Sequence, residues 1–122
     1  MTKIECVQKY FDSWLSQNNA SWDILFDDNI YYSEYYGPAY LGLERLKLWF
    51  SEWNTFGIVK EWNILSSFED ETHCCVEWFF CVQYLGEEEA FDGVSIFTFT
   101  KEGKMVSVKE YQSSLPHVLQ DI

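Results

Sequence analysis

Apolar positions near the start of the chain recur at helical spacing. Ile4, Val7, Phe11, Trp14 and Leu15 share one stripe, with Tyr10 one turn from Trp14 at its edge. Thr2 and Glu5 form a capping-box pair ahead of it, and Asn18-Asn19 stops the helix just past Gln17. Ser21 is placed to cap a short second helix, Trp22 to Phe26, which Asp27-Asp28-Asn29 ends. Residues 30–36 are rich in β-formers and read as a strand broken at Gly37-Pro38. A third helix opens near Gly42, carries Leu43, Leu46, Trp49, Phe50 and Trp53 on one face, and closes by Gly57.

Beyond Gly57 the period falls from 3.6 to 2. Val59 to Phe68, His73 to Tyr84, Ala90 to Thr100 and Lys104 to Ser113 read as four strands, with turns at Glu69-Asp70, Gly86 and Gly103. Early helices followed by long antiparallel strands predict an α+β domain with helices on one sheet face. The strand from His73 shows both faces. Cys74, Val76, Trp78, Phe80, Val82 and Tyr84 make an apolar row, and Cys75, Glu77, Phe79, Cys81 and Gln83 make the other. The second row is too apolar for plain solvent and predicts a homodimer through the outer sheet face, unless a tail or helix covers it.

Composition narrows the function classes. The 122 residues fit one domain, 1–122, with a core large enough to need no metal or disulfide staple. Twenty carboxylates against eight basic residues, a formal charge of −12, exclude a phosphate-binding surface for nucleic acid and disfavour an anionic membrane. No apolar run is long enough to span a bilayer, and the charged first helix does not read as a leader. The four cysteines sit inside regular elements, without metal-ligand spacing, and read as reduced thiols of a cytoplasmic protein. His73 and His117 are placed for solvent, and Arg45 for an ion pair with Glu44 or Glu52. Glu87-Glu88-Glu89 reads as a solvated hairpin tip.

The arrangement resembles the nuclear transport factor 2-like superfamily, the cone-shaped α+β fold (cystatin-like in outline) of ketosteroid isomerases and SnoaL-like proteins. The residues that carry the likeness are Val7-Gln8-Lys9-Tyr10, the strand ending in Glu34 before Gly37, and Gly42-Leu43-Glu44 at the third helix. Phe97-Thr98-Phe99 with Gly103-Lys104-Met105-Val106 completes the set. Closest in texture are small, stand-alone bacterial SnoaL-like proteins, with a Trp-rich third helix and a strand like Phe91-Asp92-Gly93-Val94-Ser95. The resemblance implies a curved antiparallel sheet against three N-terminal helices, enclosing a pocket.

Periodicity then names the lining: Tyr10 and Trp14 from the first helix, Trp49 or Trp53 from the third, Trp78 and Phe80 from the central strand, and Val108, Glu110 and Gln112 from the last. Such walls suit a small apolar or aromatic molecule, although the same rings could simply fill a core. In the resembling isomerases a carboxylate moves a proton while a tyrosine and a protonated acid hold the oxyanion. By that likeness Glu34 stands at the base position, Tyr10 at the tyrosine position and Ser95 at the second donor position. Serine there is a departure, because its hydroxyl is a weaker acid than a carboxyl. Glu110 is the second carboxylate, raised toward a general-acid range if it is buried; the alternative is that it is held neutral, or is satisfied by Tyr32, Trp indole N–H groups or Gln112, and does nothing chemical. Three readings stay open: a small-molecule-binding protein; a cofactor-free isomerase, cyclase or dehydratase using Glu34, Tyr10 and Glu110; and a non-catalytic dimeric module. None of them calls for a metal.

Overall fold

The computed structural model describes residues 1–122. Helix α1 spans Lys3–Leu15, the single turn α2 Trp22–Leu25, and α3 Leu43–Phe56. The strands are β1 Phe26–Ser33, β2 Ala39–Leu41, β3 Gly57–Glu69, β4 His73–Tyr84, β5 Glu87–Phe99 and β6 Met105–Gln112. They form one curved, unclosed sheet in the order β2-β1-β6-β5-β4-β3. The fold is the expected α+β cone.

The capping box at α1 is formed in both directions. Glu5 N–H donates to Thr2 Oγ1 at 3.2 Å, and Thr2 N–H donates to Glu5 Oε1 at 2.8 Å. Cys6, Val7, Tyr10, Phe11 and Trp14 are buried by α1 against the concave sheet face. Gly42 precedes α3 with φ at 94°, a left-handed backbone that a side chain would strain. Leu43, Leu46 and Phe50 face inward from α3, with Trp49 and Trp53 partly buried beside them. Lys47 ties α3 to α2 through Asp23, 2.7 Å away, and lies 3.9 Å from Glu44. Arg45, the expected ion-pair partner of Glu44 or Glu52, makes no ion pair; Lys47 takes that position.

Three features of the sheet depart from the expectation. β1 begins at Phe26, not Ile30, because Asp27-Asp28-Asn29 is a bulge inside the strand and not the end of the helix. It ends at Ser33, and after the Gly37-Pro38 turn the three residues of β2 return beside it, too short a strand to leave a period. β1 pairs with β6 in parallel, Tyr32 beside Val108 and Ser33 beside Lys109, so the sheet is mixed. β3 to β6 form the expected antiparallel meander.

The two rows of β4 divide as read. Cys74, Val76, Trp78, Phe80 and Val82 are buried, whereas Cys75, Phe79 and Cys81 on the convex side are half-buried. All four cysteines are free thiols. His73 sits 3.1 Å from Asp70 and His117 2.8 Å from Asp92, both largely exposed. No helix is long and apolar enough to cross a membrane.

Candidate functional site: an aromatic cavity with paired carboxyls

The concave face and the two long helices leave an open cavity of about 480 Å³. Five of the six tryptophans line it: Trp14 from α1, Trp49 and Trp53 from α3, Trp62 from β3 and Trp78 from β4. Phe80 and Val82 of β4, Val59 of β3 and Tyr32 of β1 complete the apolar wall. Tyr36, Tyr84, Glu89 and Gln112 are exposed lining residues and mark the mouth, whereas Trp14, Tyr32, Trp62 and Trp78 are buried and mark the floor. Many rings meet near right angles, Trp14 with Trp53 at 87° and Trp62 with Trp78 at 89°. Edge-to-face packing sets a positive ring edge against a negative face, so rigid aromatic walls form without collapsing the space between them.

Two carboxyls stand on this wall. Tyr32 and Ser33 pair with Val108 and Lys109 in parallel, so Glu34, just past the last paired residue, follows toward Glu110 and is near enough to raise it. Both are 7% exposed and both line the cavity. Tyr40 of β2 donates its hydroxyl to Glu34 Oε2 at 2.7 Å, and its ring stacks on Trp49 at 4.9 Å. Glu110 accepts a short hydrogen bond from the Tyr32 hydroxyl, which in turn accepts one from Tyr10 at 2.6 Å. Burial pushes the Glu110 carboxyl up to about 8; the Tyr32 hydrogen bond opposes that shift, and the neighbouring Glu34 adds to it. Glu34 is also raised, by burial first, with the hydrogen bonds of Tyr40 and Tyr36 pulling the other way. Tyr10 and Tyr32 are raised well above the ordinary phenol range by burial, so both are neutral donors.

Trp14, Trp49, Trp53, Trp78, Phe80, Glu34, Glu110 and Gln112 all line the cavity. Tyr10, Ser95 and Val108 do not. Tyr10 is boxed by Phe11, Trp22, Phe26, Tyr32, Trp62 and Phe97, and Tyr32 stands between it and Glu110. Ser95 is fully buried and accepts the Trp78 indole N–H at 2.8 Å. The cause is Gly93: with no Cβ between them, the Trp78 ring lies on β5 and covers Ser95. An added Cβ at that position would sit 2.6 Å from the ring.

The Glu87-Glu88-Glu89 run is exposed, as read, but it belongs to β5 and not to the turn. β5 already pairs there, Val82 beside Glu89, and Glu89 shares the inward parity of Phe91 and reaches the cavity mouth. Tyr32, Trp62, Tyr35, Tyr36, Val59, Val82 and Tyr84 also line the cavity without being placed there by periodicity, and Tyr40 stands outside the lining as the partner of Glu34. The parity of Ile30, Tyr32 and Glu34 on β1 carries the signal for the first. No group of three or more His, Cys, Asp or Glu side chains is placed to hold a metal ion. The indole N–H groups of Trp14 and Trp62 are buried without a protein acceptor.

Solved structures share this architecture at low identity. A protein of ketosteroid isomerase-like fold from Catenulispora acidiphila, in complex with trimethylamine, superposes with a TM-score of 0.79 at 19% identity, covering 93% of this chain and 88% of that one. A candidate polyketide cyclase from Pseudomonas putida gives 0.77 at 17% identity, covering 94% and 93%. An LEH-like epoxide hydrolase of M. tuberculosis gives 0.81 at 14%, covering 91% and 82%. Identities this low establish the shared fold and nothing finer. No curated protein matches the chain. The sequence pattern of the SnoaL-like domain matches residues 7–108, from the second turn of α1 through Val108 of β6, and so spans most of the helices and strands that build the cavity, with Glu110 and Gln112 beyond its end. The chain belongs to the SnoaL-like domain family.

Proposed function

We propose that this chain, read as one SnoaL-like domain over residues 1–122, binds a small, largely apolar molecule in the cavity. The carrying observation is the cavity itself: about 480 Å³ of open space, with twelve of its sixteen lining residues hydrophobic. That volume lies in the range of small-molecule sites, and a few polar groups at one wall suit orientation of the ligand. The small amine held by the Catenulispora relative supports a ligand of modest size. Free thiols in regular elements support a cytoplasmic setting. The direct test is titration with flat aromatics both neutral and cationic, such as naphthalene and naphthylmethylammonium derivatives, read by tryptophan emission. A saturable change is expected; unchanged emission across a broad set of such compounds sinks the proposal.

A second reading, cofactor-free isomerase, cyclase or dehydratase chemistry, is favoured by one observation. Glu34 and Glu110 both line the cavity, and both are harder to ionise than an ordinary carboxyl. Glu34 would take a proton from a carbon beside a carbonyl, and protonated Glu110 would return one to the developing oxygen or leaving group. Tyr10 would act through Tyr32 as a positioning residue, and Ser95, covered by Trp78, would hold that ring. Deuterium uptake at the α-carbon of small cyclic enones tests it by NMR: uptake by the parent that is absent in Glu34→Gln supports the reading, and uptake equal to buffer counts against it. The half-buried convex row of Cys75, Phe79 and Cys81 supports a homodimer through the outer face. Sedimentation at micromolar concentration should then give twice the 14.5 kDa chain mass; a monomer there rejects it.

A further inference from the structure

The cavity's charge is more specific than its shape. Three glutamates line it, Glu34, Glu89 and Glu110, and no lysine, arginine or histidine does. No cation offsets the burial of the two inner carboxyls either: a tyrosine hydroxyl is the strongest stabiliser each one has. Lys60, beside the lining residue Val59 in β3, gives its ammonium to Glu88, and neither residue lines the cavity. The same cavity is walled by rings set at steep angles, Trp14 against Trp49 at 64° and Trp14 against Trp53 at 87°, with centroids 5.0 and 5.4 Å apart.

Beside a neutral apolar occupant the inner carboxyls keep their protons, each held only by a tyrosine hydroxyl, and an anion would oppose their ionisation further, whereas a nearby cation favours the ionised form. A cation meets the negative faces of the rings and the carboxyls at once. From this geometry we infer that the occupant of the cavity is an organic cation, an alkyl or aryl ammonium whose charge lies beside Glu34 and Glu110 and whose apolar body rests on the tryptophans. The inference rests on the small-molecule-binding reading and names the ligand's chemical class.

A pair of probes that differ only in charge separates the two. Benzyltrimethylammonium and neopentylbenzene have the same shape, with nitrogen exchanged for carbon. Both are titrated into the intact chain and read by tryptophan emission. The expected result is at least ten-fold tighter binding of the ammonium. Its affinity should fall several-fold in Glu34→Gln and in the rim variant Glu89→Gln, while neopentylbenzene binds the variants as it binds the parent. Glu89 lies at the exposed mouth, so that variant folds even if a buried substitution does not. A ratio below ten, or Glu→Gln variants that weaken both probes alike, overturns the cation and leaves the binding site standing. No saturable signal from either probe removes the binding reading, and this inference with it.

Discussion

Replacing Glu110 with glutamine should make the protein more stable at alkaline pH and leave it nearly unchanged in acid. Glutamine keeps a carbonyl oxygen to accept the Tyr32 hydroxyl but cannot ionise. In the parent, burial lifts the folded carboxyl from 4.5 to about 8. Below pH 4.5 both folded and unfolded chains carry the proton, and Glu110 adds no pH dependence. Between the two values the unfolded chain gives its proton up while the folded chain retains it. The native state then binds more protons, so stability falls as pH rises, and it levels off above the folded value. A span of about 3.5 pH units at ~1.36 kcal/mol each amounts to about 5 kcal/mol lost by the parent across that window. Urea unfolding followed by tryptophan emission, at pH values from 5 to 9, gives both stabilities. Subtracting the curves cancels the other carboxylates of this −12 chain, leaving Glu110 and its coupling to Glu34. The difference should climb in favour of Glu110→Gln by several kcal/mol between roughly pH 5 and 8. Two curves that run parallel would mean that Glu110 ionises normally in the fold, and the proton-donor role would go with it.

Tyr32→Phe should cost about 1–3 kcal/mol in urea, because it strands the buried Tyr10 hydroxyl without its acceptor and takes the donor from Glu110. Tyr10→Phe should cost only about 1 kcal/mol, since Tyr32 keeps its bond to Glu110, and equal losses would contradict the order of the relay. Gly93→Ala places a methyl 2.3 Å from the Tyr111 carbonyl oxygen as well as against Trp78, so the melting temperature should drop by the equivalent of at least ~2 kcal/mol. An alanine variant that melts with the parent would mean that β5 and β6 separate easily there. Thr2→Ala removes half the capping box and should lower stability by about 1 kcal/mol, with faster amide exchange in the first turn of α1 as its local signature.

Much of the architecture is legible in the sequence because period reports face. Trp14, Trp49 and Trp53 fall on inward helix stripes, and the alternation from Cys74 to Tyr84 separates the two sides of β4. Period does not report neighbours. Nothing in Phe26 to Ser33 says that its partner is the last strand and that the pairing is parallel, and this pairing is what carries the end of β1, with Glu34 after it, toward the strand that holds Glu110. Nor does it report depth. Tyr10 and Tyr32 both point inward, and only the packing of Tyr10 among six rings shows that Tyr32 is the one at the wall. Ser95 has the right parity for the cavity but lies under an indole, because the residue two positions earlier lacks a side chain. Glu89 was hidden by its neighbours, as three consecutive acids mask a strand register that runs on to the Leu85-Gly86 turn.

The parallel seam between β1 and β6 also bears on how the protein is made. Tyr32 and Glu110 are 78 residues apart in the chain, and joining ends across an unstructured loop of that length costs about 4 kcal/mol beyond the constant. Prior zipping of the β3 to β6 meander shortens the effective loop, so hairpins come first and the seam closes late. On the ribosome the order is stricter. Glu34 and its hydrophobic wall emerge early and must wait for the final strand, while the inner edge of β1 stays open to any other strand it meets. The acid pair and the tyrosine relay therefore come into being together, in the last step of assembly. A nascent chain stalled before Met105 holds neither.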